Sequence, residues 1–262
     1  VLKTRLVEAS VHLLMGHLDI AHKEGLDILQ YHRVNGNTLH QGIANNFMGK
    51  CLRRMGKLQE SLAAYQESIR ILSNDVEENT TIHLASTFQN AGNCCSIMGD
   101  TRQALLYLNK SLELSKQNNL HIGNNYCAIA LCHQNMGDEE KAIRYYQLGI
   151  KELRFIGDTS GETIYQINLA LILQRQGKFR DAENMFTKLI PLAKSSQIPI
   201  NQCIAIGNYG ILLYIMDRYP ESSQQLEQAI KLAKQCSPLC HTVFTANLAY
   251  VHSLQGNTEQ AT

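Results

Sequence analysis

The sequence predicts an all-α fold built as a solenoid of stacked helix-turn-helix repeats, on three observations. A turn residue recurs about every forty positions: Gly16, Gly56, Gly99, Gly137, Gly177, Asp217 and Gly256, at gaps of 40, 43, 38, 40, 40 and 39 residues. Two columns of small residues flank it. Seven before each turn stand Ala9, Gly49, Gly92, Ala130, Ala170, Gly210 and Ala249, and five after stand Ala21, Ser61, Ala104, Ala142, Ala182, Ser222 and Ala261. Small side chains there let two helices approach closely, so that larger apolar residues interdigitate around them. Finally, a hydrophobic content of 44% with only four prolines suits a continuous core in an all-helical chain. A fixed period of this length is the signature of a repeat array, in which each unit buries its apolar face on its neighbours.

The clearest unit runs from Asn168 to Phe186, where Ala170 and Ala182 sit either side of a turn at Gln176-Gly177-Lys178. The whole chain, 1–262, reads as one array with repeats at about 2–34, 41–74, 82–118, 122–156, 162–196 and 201–236, and a partial seventh at 241–262. Between repeats, Asn35-Gly36-Asn37, Asn118-Asn119, Gly157-Asp158 and Ser195-Ser196 supply helix-ending chemistry. Pro220 suits the first turn of a helix. Pro191 lies well inside an apolar second helix and is expected to kink or end it. The sequence starts at Val1 and stops within a repeat, so it is expected to be a piece of a longer protein.

Four places beyond the second small column stands a bulky one: Tyr65, Leu108, Tyr146, Phe186 and Leu226, with Gly25 departing from it in the first repeat. An aromatic residue early in the first helix survives as Phe88 and Tyr126, and no proline closes each repeat. With these columns the chain resembles a tetratricopeptide repeat (TPR) protein. Its period makes it similar to the long-repeat branch of kinesin light chains, leucine-glycine-asparagine repeat adaptors and Rap-type regulators. The resemblance implies a right-handed superhelix whose first helices line a concave groove, and an asparagine column there that touches bound peptide.

Counting nine, six and three residues back from the turn gives the groove positions. They are Phe47, Lys50 and Arg53; Asn90, Asn93 and Ser96; Ala128, Leu131 and Gln134; Asn168, Leu171 and Gln174; Asn208, Ile211 and Tyr214; Asn247, Tyr250 and Ser253. Asn90, Asn168, Asn208 and Asn247 share one column. An asparagine offers both an acceptor and a donor, so it pairs with a peptide unit whatever side chain that unit carries. The competing use is a bond to the neighbouring helix that holds repeat spacing. Lys50, Arg53 and Arg54 make one end basic, while Leu171, Ile211, Tyr214 and Tyr250 make the other apolar. A partner segment with acidic and apolar portions suits this face, whether from another protein or from the same chain.

Other classes are disfavoured. With 24 Lys plus Arg against 23 Asp plus Glu, there is no general attraction to nucleic acid or an anionic membrane. No apolar run of membrane-spanning length and no secretory leader occurs, so a reducing cytoplasmic setting with free thiols is expected for the eight cysteines. Cys94-Cys95 with Cys132-His133 have the residue types for zinc, but Cys95 and His133 share a column with His12, Leu52, Leu173, Leu213 and His252 that reads as packing; Cys236 with Cys240-His241, split by Pro238 in an inter-repeat loop, is no stronger a zinc set. The sequons at Asn79 and Asn109 are short enough to arise by chance. No phosphate loop, HExxH pattern or nucleophile with its base is present, and Asp138, Glu139 and Glu140 sit where they favour a helix N-terminus. The expectation is therefore a non-enzymatic protein or peptide recognition scaffold needing no cofactor. The alternative is a ligand-regulated sensor arm that controls a catalytic or DNA-binding domain outside this segment.

Overall fold

The computed structural model of the chain describes residues 2–75 and 80–256, with side chains from Arg5 onward. Asn79 and Ala261 lie outside the described residues. Among these, thirteen helices and no strand occur: α1 (Leu2–Leu14), α2 (Leu18–Val34), α3 (Thr38–Arg54), α4 (Leu58–Leu72), α5 (Thr80–Ile97), α6 (Thr101–Gln117), α7 (Gly123–Asn135), α8 (Glu139–Phe155), α9 (Thr159–Arg175), α10 (Phe179–Ser195), α11 (Pro199–Ile215), α12 (Tyr219–Cys236) and α13 (Pro238–Leu254). The chain forms two compact units, Val1–Ala142 and Ile143–Thr262. In the first unit each helix from α1 to α7 packs on the next, as does each from α9 to α13 in the second, and first helices also adjoin: α3 with α5, and α9 with α11 and α11 with α13. No described helix is long and apolar enough to cross a membrane.

One backbone device makes the turns. Gly16, Gly56, Gly99, Gly137, Gly177 and Gly256 all have φ between 72° and 84°, and Asp217 takes the same left-handed conformation at 59°. The next N–H then reaches back five residues, as in Lys57 to the Leu52 carbonyl and Lys178 to that of Leu173, both 2.9 Å. This closes the helix end with its carbonyls satisfied. The same conformation recurs between repeats at Gly36, Asn119, Gly157 and Gln197. Aspartates and asparagines start the next helices: the side chains of Asn37, Asp100 and Asp158 accept from the backbone N–H of His40, Gln103 and Gly161.

The small columns form the helix-to-helix contacts. Ala9, Ala130 and Ala170, and Ala21, Ala104, Ala142 and Ala182, are wholly buried, as are Tyr65, Leu108, Tyr146, Phe186 and Leu226 of the bulky column. Where the first column is Gly the two helices approach more closely along their length, in α3–α4, α5–α6 and α11–α12, than where it is Ala in α1–α2 and α9–α10. Close approach exposes a first-helix carbonyl to its partner. Ser61 Oγ donates to the Gly49 carbonyl at 2.7 Å and Ser222 Oγ to that of Gly210 at 2.8 Å, so the buried serine hydroxyls find their partners across the helix pair.

Two positions depart from the sequence expectation. Gly25 breaks the bulky column because Phe47 and Met48 of the next repeat occupy its space; a Cβ there would stand 2.5 Å from Met48 Sδ. Pro191 does not end its helix, since α10 runs through it to Ser195. Both Pro191 and Thr187, whose carbonyl loses its ladder donor, are exposed, so water can take the place of the missing N–H. Pro220 stands in the first turn of α12, as expected.

Candidate functional site

In the first unit the expected groove residues lie on α3, α5 and α7. Lys50 is half-buried, and burial, with Arg53 next, holds its ammonium below the usual lysine range. Arg53 is also half-buried beside the Tyr65 phenol, and its Nε has no hydrogen-bond partner among the described residues. Arg54 points elsewhere. Its guanidinium donates to the Leu13 carbonyl at 3.1 Å, capping the end of α1 across the repeat boundary. Asn90 donates to Oδ1 of the buried Asn46 at 2.9 Å and so ties α5 to α3. Asn93 and Gln134 are half-buried and Leu131 is exposed. Phe47, counted among the groove positions, is buried beneath Gly25.

In the second unit the face is formed by α9, α11 and α13. Asn168 Nδ2 lies 3.3 Å from the hydroxyl of the wholly buried Tyr146. Asn208 and Asn247 donate instead to carbonyls of their own helices, Ile204 at 2.9 Å and Val243 at 2.8 Å. Those carbonyls already belong to the helical ladder, so the side-chain bonds are supernumerary. Leu171 packs on the core of Phe186 and Leu212, and Ile211 and Tyr214 pack on that of Leu226 and Phe244. Tyr250 is 54% exposed and meets Tyr214 edge-on, with ring centroids 5.8 Å apart. Gln174, three before its turn, has a buried Oε1 without a partner among the described residues. This face therefore presents amide donors held by supernumerary bonds and an aromatic edge, while the Gln174 acceptor is buried.

All eight cysteines are free thiols. Burial pushes Cys51 and Cys95 up to about 11 and Cys203 up to about 12, and Cys127 further still, so none of these is an ionised thiolate at neutral pH. No described set of three His, Cys, Asp or Glu side chains is grouped to hold a metal ion. Asp138 caps α8 by accepting from the Lys141 N–H and pairs with its ammonium at 2.7 Å. Asn109 of α6 donates to the Leu105 carbonyl at 2.9 Å.

One cluster escaped the groove count. His32, His40 and His83 line a cavity in the first unit between α1, α2, α3 and α5. The available signal was register: His40, His83 and His121 all stand sixteen residues before a turn glycine.

Consecutive helix pairs joined by left-handed turns and packed along columns of small residues define a helical repeat protein. The tetratricopeptide repeat profile matches residues 41–117 and 121–195, more than half of the sequence, and the chain belongs to that family. No curated protein matches it. Among solved structures it is similar to the apo form of the quorum sensor NprR from B. thuringiensis, at 16% identity and TM-score 0.71, over 99% of this chain and 72% of that one. It is also similar to NprR in complex with its cognate peptide NprX, at 16% identity and TM-score 0.64, over 98% and 75%. A Rap protein complexed with competence and sporulation factor matches at 14% identity and TM-score 0.72, over 99% and 73%. These likenesses show a shared fold.

Proposed function

We propose that the chain is a peptide-binding scaffold, acting by recognition rather than catalysis, and that the first-helix face of the second unit captures the backbone of a partner segment. The observation that carries this is the state of Asn208 and Asn247. Each amide rests on a carbonyl that does not need it, so it can swing to a bound peptide without leaving a buried group unpaired. Tyr214, Tyr250 and Ile211 beside them provide apolar contact for alternate side chains of that segment. Lys50 and Arg53, on the first unit, favour an acidic segment there. NprR's complex with its peptide NprX supports the reading by analogy of fold.

A second reading, a sensor arm controlling an effector domain, is favoured by one observation. The chain matches 72% of the NprR quorum sensor, leaving the remainder of that protein without a counterpart here.

Selection of a random peptide library on the 262-residue chain, followed by fluorescence anisotropy with the Asn208→Ala/Asn247→Ala variant, tests the main reading. Losing two such hydrogen bonds predicts affinity weaker by about tenfold to a hundredfold. Selected peptides that bind the variant equally well refute it.

A further inference from the structure

The histidine cavity of the first unit has a volume of about 420 Å³, in the range of ligand pockets. Its walls divide by chemistry. Leu6, Ile28 and Ile43 supply apolar surface, while three imidazoles come from three different helices and, among the described residues, no carboxylate lines the space. His32 is 6% exposed, and its Nδ1 has no hydrogen-bond partner among the described residues. An orphaned nitrogen buried to this degree carries a desolvation cost that the fold does not recover internally. His40 stacks on it at 4.8 Å, and its own Nδ1 is held by Asn37 Oδ1 at 2.7 Å, which leaves Nε2 as the ring's free nitrogen.

We propose that this cavity binds a carboxylate carried on an apolar body, with the body against Leu6, Ile28 and Ile43 and the carboxylate against the imidazoles of His32, His40 and His83. The electrostatics agree with the geometry. Burial, then His40, holds His32 below the ordinary imidazole range; burial, then His40 and Lys50, does the same to His83. A bound carboxylate opposes both causes at these two rings, so it favours their protonated, donating form and binds with uptake of protons. Apolar walls without the imidazoles would fit any hydrocarbon. Imidazoles without the walls would fit any small anion. Their combination selects a molecule that has both.

This chemistry has two sources, a free carboxylic acid or the C-terminal residue of a peptide. Only the second rests on the peptide reading above. The test is NMR of histidine-labelled 262-residue chain titrated with octanoate, octan-1-ol, and a short peptide with an apolar C-terminal residue, as the free acid and as the amide. Octanoate is expected to move the His32, His40 and His83 resonances saturably while octanol leaves them in place. His32→Phe should weaken octanoate about tenfold or more, the loss of one hydrogen bond to a charged group. Val7→Trp, placed at the exposed rim, should block entry while leaving the core untouched. Equal shifts from the free-acid peptide, lost on amidation, assign the source to a chain terminus; a response to octanoate alone assigns it to a small acid. Absence of saturable shifts with either acid, an equal response to octanol, or a response that survives Val7→Trp overturns the proposal. Failure of the library selection alongside a positive octanoate titration would refute only the peptide reading.

Discussion

Gly49→Ala isolates the feature on which the repeat depends most, the close approach of its two helices. A Cβ at this position would stand 2.4 Å from Cε1 of Tyr65, 2.6 Å from Cδ1 and 2.8 Å from Cζ, where ordinary carbon contacts lie at about 3.5–4.0 Å. Tyr65 is wholly buried, so its ring has no free direction in which to move. The helices must separate, and Ser61 then loses alignment with the Gly49 carbonyl. Overpacking of this kind costs about 1–3 kcal/mol, against about 1 kcal/mol gained by replacing glycine with alanine inside a helix. With three contacts below 3.0 Å the steric term takes the upper part of its range, for a net loss of about 2 kcal/mol. Gly210→Ala is the control. Its nearest contacts are Leu226 Cγ at 2.9 Å, Leu226 Cδ2 at 3.1 Å and Gln225 Cβ at 3.3 Å, a smaller overlap than at Gly49, so its net loss should be clearly smaller. Urea melts followed by far-ultraviolet circular dichroism compare the two. A Gly49→Ala chain as stable as wild type, or no weaker than Gly210→Ala, would refute the claim that close approach sets this column. Adding Tyr65→Leu, the residue type paired with glycine at Leu108, should recover part of the loss in a double-mutant cycle.

Two further outcomes follow from the same structure. Asn90→Ala strands the buried Asn46 carbonyl oxygen and should destabilise by about 1–3 kcal/mol, whereas Asn208→Ala, which removes only a supernumerary bond, should stay within about 0.5 kcal/mol; thermal melts of the two variants measure the difference. The folded-state affinities of His32 and His83 for a proton are depressed by burial, so the unfolded chain protonates first. Their contribution to stability is full above the unfolded value of about 6.5 and is lost as pH falls through the lower folded values, a decline in melting temperature that His32→Phe should reduce.

The repeat was legible because its geometry forbids alternatives. A helix pair this close leaves no room for a side chain at Gly49, Gly92 or Gly210, and a left-handed turn favours glycine at Gly56 or Gly177, so necessity appears as a column. What could not be read was set by space shared between repeats. Gly25 is small because of Phe47 and Met48, about twenty residues on, and those two are apolar for reasons any core position would satisfy. Arg54 falls beside the groove positions in the sequence yet turns to the Leu13 carbonyl at the end of α1, a partner in another repeat that no residue type announces. Gln197 holds a positive φ of 55° although glutamine has no preference for it, so its turn was marked only by the serines before it. The histidine cavity joins four helices, and only the common register of His40 and His83 pointed toward it.

The asparagine column shows how one position comes to do two kinds of work. At Asn90 the amide is committed to Asn46 on the adjoining first helix, and the cost of releasing it is a stranded oxygen. At Asn208 and Asn247 the equivalent amides are parked on carbonyls already bonded, and release costs almost nothing. Spacing and recognition are thus alternative states of the same side chain, decided by whether the neighbouring first helix presents a polar partner ten residues before its turn, as Asn46 does. A column of identical residues therefore cannot be assigned a single role from its recurrence. In the first unit Asn90 ties neighbouring first helices together, and buried atoms without a partner among the described residues lie elsewhere, at His32, Arg53, Glu24 and Tyr65 among others. In the second unit such buried atoms include Gln174 Oε1, Ser223 Oγ and His252 Nδ1, while the two parked amides of Asn208 and Asn247 keep their bonds to their own helices.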